Sequence, residues 1–389
     1  MASEYIATHS NRIYLKSETD HPAMGDMSEA VLAPVTSLRV NTRRQQLFRQ
    51  DKTGFRTDTP VLGPQRELIE VSLGAYGVGW DGGATKTAIS PLLESGFSAQ
   101  ANVGANYTVA AVAGATLTLG EDSTLTVGAA LLFGTELRFV TAVSGLREVT
   151  LNAPFTVEPS LGATLQGCLN LGVGDATHTM SLLDNWNPSQ AVQRFLTGVV
   201  ANRLTVAVNN DFLDLSVDGF ARNQYDSVNG VVSGEFTFPT EPAGTGSLLA
   251  SPIAGHLGQA VVGVDHQNVC TLTEATITID NNIEPRTDEF GCYTTKAYTL
   301  GKRRVTVDFT LFERNDAFSQ SLYAQAVNNV PVPVMFQLGT QPGAMLGIYL
   351  PAVLLSMPEF DDRQSRLLWR FQGSLALGGQ NDEIFLAQR

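Results

Sequence analysis

The sequence predicts a mainly β protein: two tandem β-sandwich domains, each with a short flanking helix, and a small β domain inserted in the first. Three observations predict it. Apolar and polar residues alternate over most of the chain, as half-buried strands require. The 36 glycines among 389 residues, with Asn, Asp and Ser, punctuate that alternation. One order of elements is also read twice. The length is that of two to three ordinary domains, and 43% apolar residues suffice for a core in each.

Residues 1–30 read as an N-terminal arm. The first sandwich, 31–97 with 175–225, opens with a strand at 36–41, a polar excursion through Gly54 and Gly63, and a strand at 66–75. Its helix starts at Ser90-Pro91, proline suiting the first helical position, and ends near Gly96. Residues 98–174 read as the inserted β domain, with short strands at 125–133, 137–143 and 146–151 and turns such as Ser144-Gly145. The sandwich closes with strands at 177–183, 198–208 and 212–220, the last two forming a hairpin through Asn209-Asn210-Asp211. Residues 226–260, rich in Gly, Pro, Ser and Thr, read as a connector. The second sandwich, 261–389, repeats the order: a strand at 273–280, an excursion past Gly291 and Gly301, a strand at 303–312 and a helix at 316–328. Closing strands follow at 332–338, 346–355 and 366–377. Asp316 is placed to cap the second helix, and Phe318, Leu322 and Ala326 recur on one face at intervals of four.

Charged residues make up 16% and the formal net charge is −13. A chain of that sign does not grip phosphate backbones, because such affinity comes from clustered Lys and Arg. Glu4 stands early and no basic start precedes an apolar run, so no secretory signal is expected. The strongest apolar run, 345–355, is shorter than the roughly 20 residues of a membrane span, and no membrane partner is expected. Cys168, Cys270 and Cys292 are far apart and lack a CxxC spacing; they read as buried thiols in a protein made in a reducing cytoplasm.

No catalytic or metal constellation is legible, and neither a cofactor nor an enzymatic activity is expected. Gly77-Val78-Gly79-Trp80-Asp81-Gly82 satisfies G-x-G-x-x-G and Lys86-Thr87 follows. Thr85 nevertheless stands where a P-loop needs glycine and no βαβ unit follows, so the segment reads as a flexible turn. His9, His21, His178, His256 and His266 lack metal-ligand spacing, and no nucleophile elbow occurs. The carboxylate pairs Glu121-Asp122, Asp288-Glu289 and Asp361-Asp362 read as solvated turn residues rather than an acid facing a base. One charge cluster stands out: Arg39, Arg43, Arg44, Arg49, Lys52 and Arg56, opposed by Asp51 alone. An acidic neighbouring copy is the partner that the net charge favours; DNA contact and a solvated loop are the competing readings.

The run Leu272-Thr273-Glu274-Ala275-Thr276-Ile277-Thr278-Ile279-Asp280-Asn281-Asn282-Ile283, followed by Phe290-Gly291, resembles the strand and paired-asparagine segment of tail tube (major tail) proteins of long-tailed bacteriophages. Gly347-Ile348-Tyr349-Leu350-Pro351 is similar to a late strand of that family, and 134–154 resembles an insertion in its longer members. The resemblance implies a structural virion protein of the tail, assembled in the host cytoplasm. Its rings would stack into a tube that encloses the tape-measure protein and passes DNA transiently and non-specifically during ejection. Tail terminator and distal tail proteins would be further partners. Single-sandwich members form rings of six, so a duplicated sandwich implies a trimer with pseudo-sixfold symmetry in preference to a hexamer. On this picture Arg39, Arg43, Arg44, Arg49, Lys52, Arg56, Asn281, Asn282 and Arg286 are the candidate ring-stacking residues. The acidic charge is expected on the inner face, where it lets DNA slide. The competing class is a β-sandwich receptor- or carbohydrate-binding virion module, which needs exposed aromatic platforms; the tryptophans available are Trp80, Trp186 and Trp369.

Overall fold

The computed structural model describes the chain except residues 1–5, 19–26, 46, 49–50, 53, 58–65, 81, 84–85, 187–191, 210, 229–230, 233–236, 243–250, 264–266, 270 and 364. Strands take 52% of residues and helices 7%. The first half begins with β1 (Arg12–Ser17), β2 (Val31–Leu32), β3 (Val35–Arg44), β4 (Glu67–Tyr76) and helix α1 (Ser90–Phe97). The insertion supplies β5 (Asn102–Val103), β6 (Tyr107–Ala113), β7 (Thr116–Leu119), β8 (Ala130–Phe133), β9 (Glu136–Ser144), β10 (Glu148–Leu151), β11 (Thr164–Gly167) and β12 (Leu169–Gly172). The first half resumes with β13 (Met180–Asn185), β14 (Gln193–Val208), β15 (Asp214–Ala221), β16 (Asn223–Val228) and β17 (Val231–Val232). The second half runs through β18 (Gly258–Val262), β19 (Gln267–Asn268), β20 (Leu272–Asp280), β21 (Glu284–Pro285), β22 (Tyr298–Thr299), β23 (Arg304–Phe312) and helix α2 (Ala317–Val327). It ends with β24 (Val332–Gln341), β25 (Ala344–Leu354), β26 (Glu359–Asp361), β27 (Leu368–Ala376) and β28 (Phe385–Gln388).

Local chemistry accounts for much of this. The β14–β15 hairpin turns at Asn209, whose φ is 70°, a left-handed value that asparagine tolerates. Asp316 accepts the Ser319 N–H at 2.9 Å and starts α2, whose Leu322 and Ala326 are buried. α1 has Pro91 in its first turn, ends where Ser98 turns left-handed, and is buried along its whole length. Elsewhere pairing reaches further than the pattern suggested. β1 lies in the segment read as an arm, yet pairs with β13 and buries Tyr14 and Leu15. Part of β16, all of β17 and part of β18 lie in the segment read as a connector. The strand expected at 125–133 is confined to β8, because Gly128, at φ 87°, turns the chain just before it.

The two halves share one pairing diagram. In the first, β2–β1–β13–β14–β16 and β3–β4–β15–β14 form two antiparallel layers. In the second, β19–β18–β24–β25–β28 and β20–β23–β27–β25 repeat them. Bulges recur at corresponding places: between Val35 and Ser37 on β3 as between Leu272 and Glu274 on β20, and between Met180 and Leu182 as between Val332 and Val334. A bulge flips the register of every later side chain, so its recurrence marks one fold used twice. The halves are fused edge to edge, β14 pairing with β20 from Arg203 opposite Asp280 to Val208 opposite Ala275. The result is an eight-stranded sheet ordered β3-β4-β15-β14-β20-β23-β27-β26.

The insertion closes into a barrel, β10-β7-β6-β11-β8-β9, filled by Leu117, Leu131, Val140, Val149 and Leu165. It leaves from the first half but docks on the second. Phe139 stacks on Tyr349 with ring centroids 5.5 Å apart, and Gln337 accepts the Leu137 N–H and donates to the Thr135 carbonyl, both at 2.8 Å. The corresponding face of the first half is covered instead by Met27, Leu32, Tyr225 and Phe238, packed with Leu183 and Phe195.

Candidate assembly surfaces

Alternate residues of a strand share a face, so β3 presents Arg39 and Arg43 on the side of the eight-stranded sheet away from the core. Arg43 reaches Glu70 and Arg44 reaches Glu67, both on β4, at 2.9 and 2.7 Å. The basic cluster is therefore partly neutralised within the chain, by carboxylates that sequence distance concealed. Arg49 lies outside the described residues; Lys52 and Arg56 are exposed in the excursion between β3 and β4.

The paired asparagines divide their labour. Asn281 is 3% exposed, and its side-chain amide donates to the carbonyls of Gly96 at 2.9 Å and Ala201 at 3.2 Å. It fastens the root of the second excursion to α1 and β14 and offers no free surface. Asn282 is exposed, takes φ 47°, and donates to the Lys302 carbonyl at 2.7 Å. Arg286 pairs with Glu289, which also receives Lys296 at 3.0 Å. Hydrogen bonds from Lys296 and Arg286 hold the Glu289 carboxyl below its ordinary range.

The two excursions follow corresponding strands and meet at one end of the sheet. Arg66 donates to Asp288 at 2.7 Å, and the Glu67 N–H donates to the Tyr293 carbonyl at 2.7 Å. A shallow cleft between them is lined by Arg43, Arg44, Arg66, Glu67, Thr287 and Asp288. Their tips hold apolar rings in solvent: Phe55 is 84% exposed and Phe290 fully so. Sequence reasoning gave these rings no role at the loop tips, passed over Glu67 and Glu70 as partners of the basic cluster, and read Asp288 as a solvated turn residue rather than the partner of Arg66. A lone Phe inside a polar, glycine-containing excursion was the signal available for the rings.

The open face of the sheet is rich in charged and hydroxyl side chains, with Leu68, Phe220 and Leu375 half-buried among them. Arg39, Arg43, Arg203, Arg304 and Arg370 share it with Glu70, Asp214, Asp218, Glu274, Asp280, Asp308, Glu359 and Asp361, between rows of Ser and Thr. Most of these acids are engaged: Arg203 holds Asp280 at 2.8 Å, Ser72 donates to Asp218 at 2.6 Å, and Thr310 donates to Glu274 at 2.9 Å. Arg363 and Arg370 hold Asp361 at 2.8 and 2.6 Å and press its carboxyl well below the usual range. Asp361 ends a strand rather than lying in a turn.

The other motifs are structural. Val78 and Trp80 are buried, and a Cβ on Gly79 would stand 2.2 Å from the Gly343 carbonyl oxygen, so the glycine permits close contact between the halves instead of forming a flexible turn. Asp81 in that motif, with His21, His266 and Cys270, lies outside the described residues. Among the described residues no group of His, Cys, Asp and Glu is placed to hold a metal, and no helix is long and apolar enough to cross a membrane. Cys168 is buried and its thiol is pushed up to about 12, whereas Cys292 is half-buried in the second excursion. Trp80 and Trp369 are buried, so neither offers the aromatic platform of a glycan-binding module.

A subunit with two sandwiches fused through a sheet edge, end strands with no outer partner among the described residues and apolar loop tips in solvent has the features of a self-assembling structural protein. The phage tail tube protein family model matches residues 69–385, and the chain belongs to that family. A search of curated proteins finds no match. Membership makes the chain a structural component of a bacteriophage virion that self-assembles into the tail tube.

Proposed function

We propose that the protein polymerises as stacked rings of three chains, that the tube so formed encloses the tape-measure protein and conducts DNA during ejection, and that assembly takes place in the host cytoplasm. Tail terminator and distal tail proteins would cap the tube. The observation that supports the ring of three is the shared pairing diagram. Residues 31–97 with 175–225, extended by β1 and the rest of β16, and residues 261–389, extended by the start of β18, each supply a sandwich, so three chains offer six quasi-equivalent units. The barrel within 98–174 breaks the equivalence, because it covers the second half alone.

The barrel lies beyond the second layer, opposite the open face of the eight-stranded sheet. A bulky closed domain is accommodated outside a tube, which leaves the open face for the lumen. Its acids outnumber its arginines and many are paired, so it offers passing phosphates few free cations. Stacking then falls to the excursion end: Arg44, Arg49, Lys52, Arg56, Asn282 and Arg286, with Asn281 holding the loop root. Cryo-electron microscopy of assembled tubes tests the reading. Density with barrels at three of six positions, sharp under threefold and blurred under sixfold averaging, is expected; equal density at all six positions overturns it.

A further inference from the structure

The joint inside one chain is a template for the joint between chains. β3 is the counterpart of β20, pairing with β4 as β20 pairs with β23 and carrying a bulge at the corresponding place, but among the described residues nothing pairs with its outer edge. The consequence shows in burial. Ala275, Ile277 and Ile279 of β20 are 2%, 0% and 1% exposed, whereas their counterparts Leu38, Val40 and Thr42 are only half-buried.

At the opposite end of the sheet β26 is the counterpart of the C-terminal part of β14. Glu359 and Phe360 stand opposite Arg370 and Trp369 of β27, as Thr205 and Val206 stand opposite Ser216 and Leu215 of β15. Val206, covered by β20, is 2% exposed; Phe360, with no strand beyond it among the described residues, is 59% exposed.

We propose that the β3 edge of one copy pairs antiparallel with the β26 edge of the next, in the register of β14 on β20. This deepens the tube-subunit reading and rests on it. Transposing the register sets Phe360 opposite Val40, Asp361 opposite Arg39 and Glu359 opposite Asn41. Phe360 then closes over the half-buried Leu38 and Val40. Arg39 and Glu359, which form no ion pair among the described residues, become diagonal neighbours, close enough for opposite charges to attract across strands. Pro358 lacks the N–H that its counterpart Leu204 carries, so the joint forgoes one ladder bond. Such an edge is blunted in the free subunit and closes when a ring forms. Arg39 and Arg43 are thereby assigned to the lateral joint rather than to stacking.

The Gln45 N–H bonds to Arg66 on β4, so Asn41, in phase with Gln45, also turns its backbone toward β4. It therefore meets Glu359 as a non-hydrogen-bonded pair, with Cα atoms about 4.5 Å apart, within disulfide reach. Asn41→Cys and Glu359→Cys subunits are mixed, assembled and mildly oxidised. A linked dimer is expected in the mixture, absent from either variant alone and from a mixture of Arg43→Cys with Glu359→Cys, and the double variant Asn41→Cys/Glu359→Cys should give linked rings. Rings or tubes by electron microscopy without the 41–359 link overturn the joint and leave the tube reading standing. The link in material that never forms rings or tubes upholds the edge pairing and overturns the tube reading. Neither link nor assembly overturns both.

Discussion

Replacing Asn281 with alanine separates a role inside the chain from a role between chains. Its amide donates to the Gly96 carbonyl in the last turn of α1 and to the Ala201 carbonyl where β14 bulges. The last carbonyls of a helix have no intrahelical donor, so Gly96 depends on an outside partner. Each hydrogen bond contributes about 1 kcal/mol, and a buried acceptor left without a donor costs about 1–3 kcal/mol. Asn281→Ala should therefore destabilise the subunit by about 2–4 kcal/mol, read as a lower urea midpoint of the unassembled protein. Subunits that remain folded should still join tubes of ordinary length. A variant with the parent's urea midpoint that fails to assemble would refute the reasoning and place Asn281 at an interface between copies.

Three further outcomes follow from the same contacts. Phe139→Ala removes a fully buried ring from the barrel's seat on Tyr349 and Gly347; a loss of about 3–5 kcal/mol should appear as faster proteolysis across the barrel, and unchanged cleavage counts against the docking role. Asp184 is 2% exposed and burial raises its carboxyl above the ordinary range. A raised folded value gives its full stabilisation below about pH 4 and loses it as the pH rises, so Asp184→Asn should gain on the parent as the pH rises above about 4; a stability difference that stays flat with pH sinks the argument. In native protein at pH 8 iodoacetamide should label Cys292 and spare Cys168, whose buried thiol is pushed up to about 12; equal labelling rates, mapped by mass spectrometry, would contradict this.

What the sequence determined by itself is local. Alternation from Leu204 to Val217 around Asn209 specified the β14–β15 hairpin, Asp316 specified the start of α2, and Ser90-Pro91 the start of α1. These signals sit within one strand, one turn or one cap, where side-chain periodicity and backbone hydrogen bonding are settled by near neighbours. The repeated order of strand, excursion, strand and helix was legible for the same reason. Tertiary structure alone decided which edges meet. Nothing near Arg203 in the sequence announces that Asp280 will lie opposite it, or that Glu70 and Glu67 will neutralise Arg43 and Arg44. It also decided which face each unit covers: the barrel leaves the first half and settles on the second, because Phe139 and Leu137 find Tyr349, Met335 and Met345 there. Asn281 belongs to the same category. Its residue type suits a surface turn, and only the approach of Gly96 and Ala201, some 185 and 80 residues away in sequence, turns it into a buried clamp.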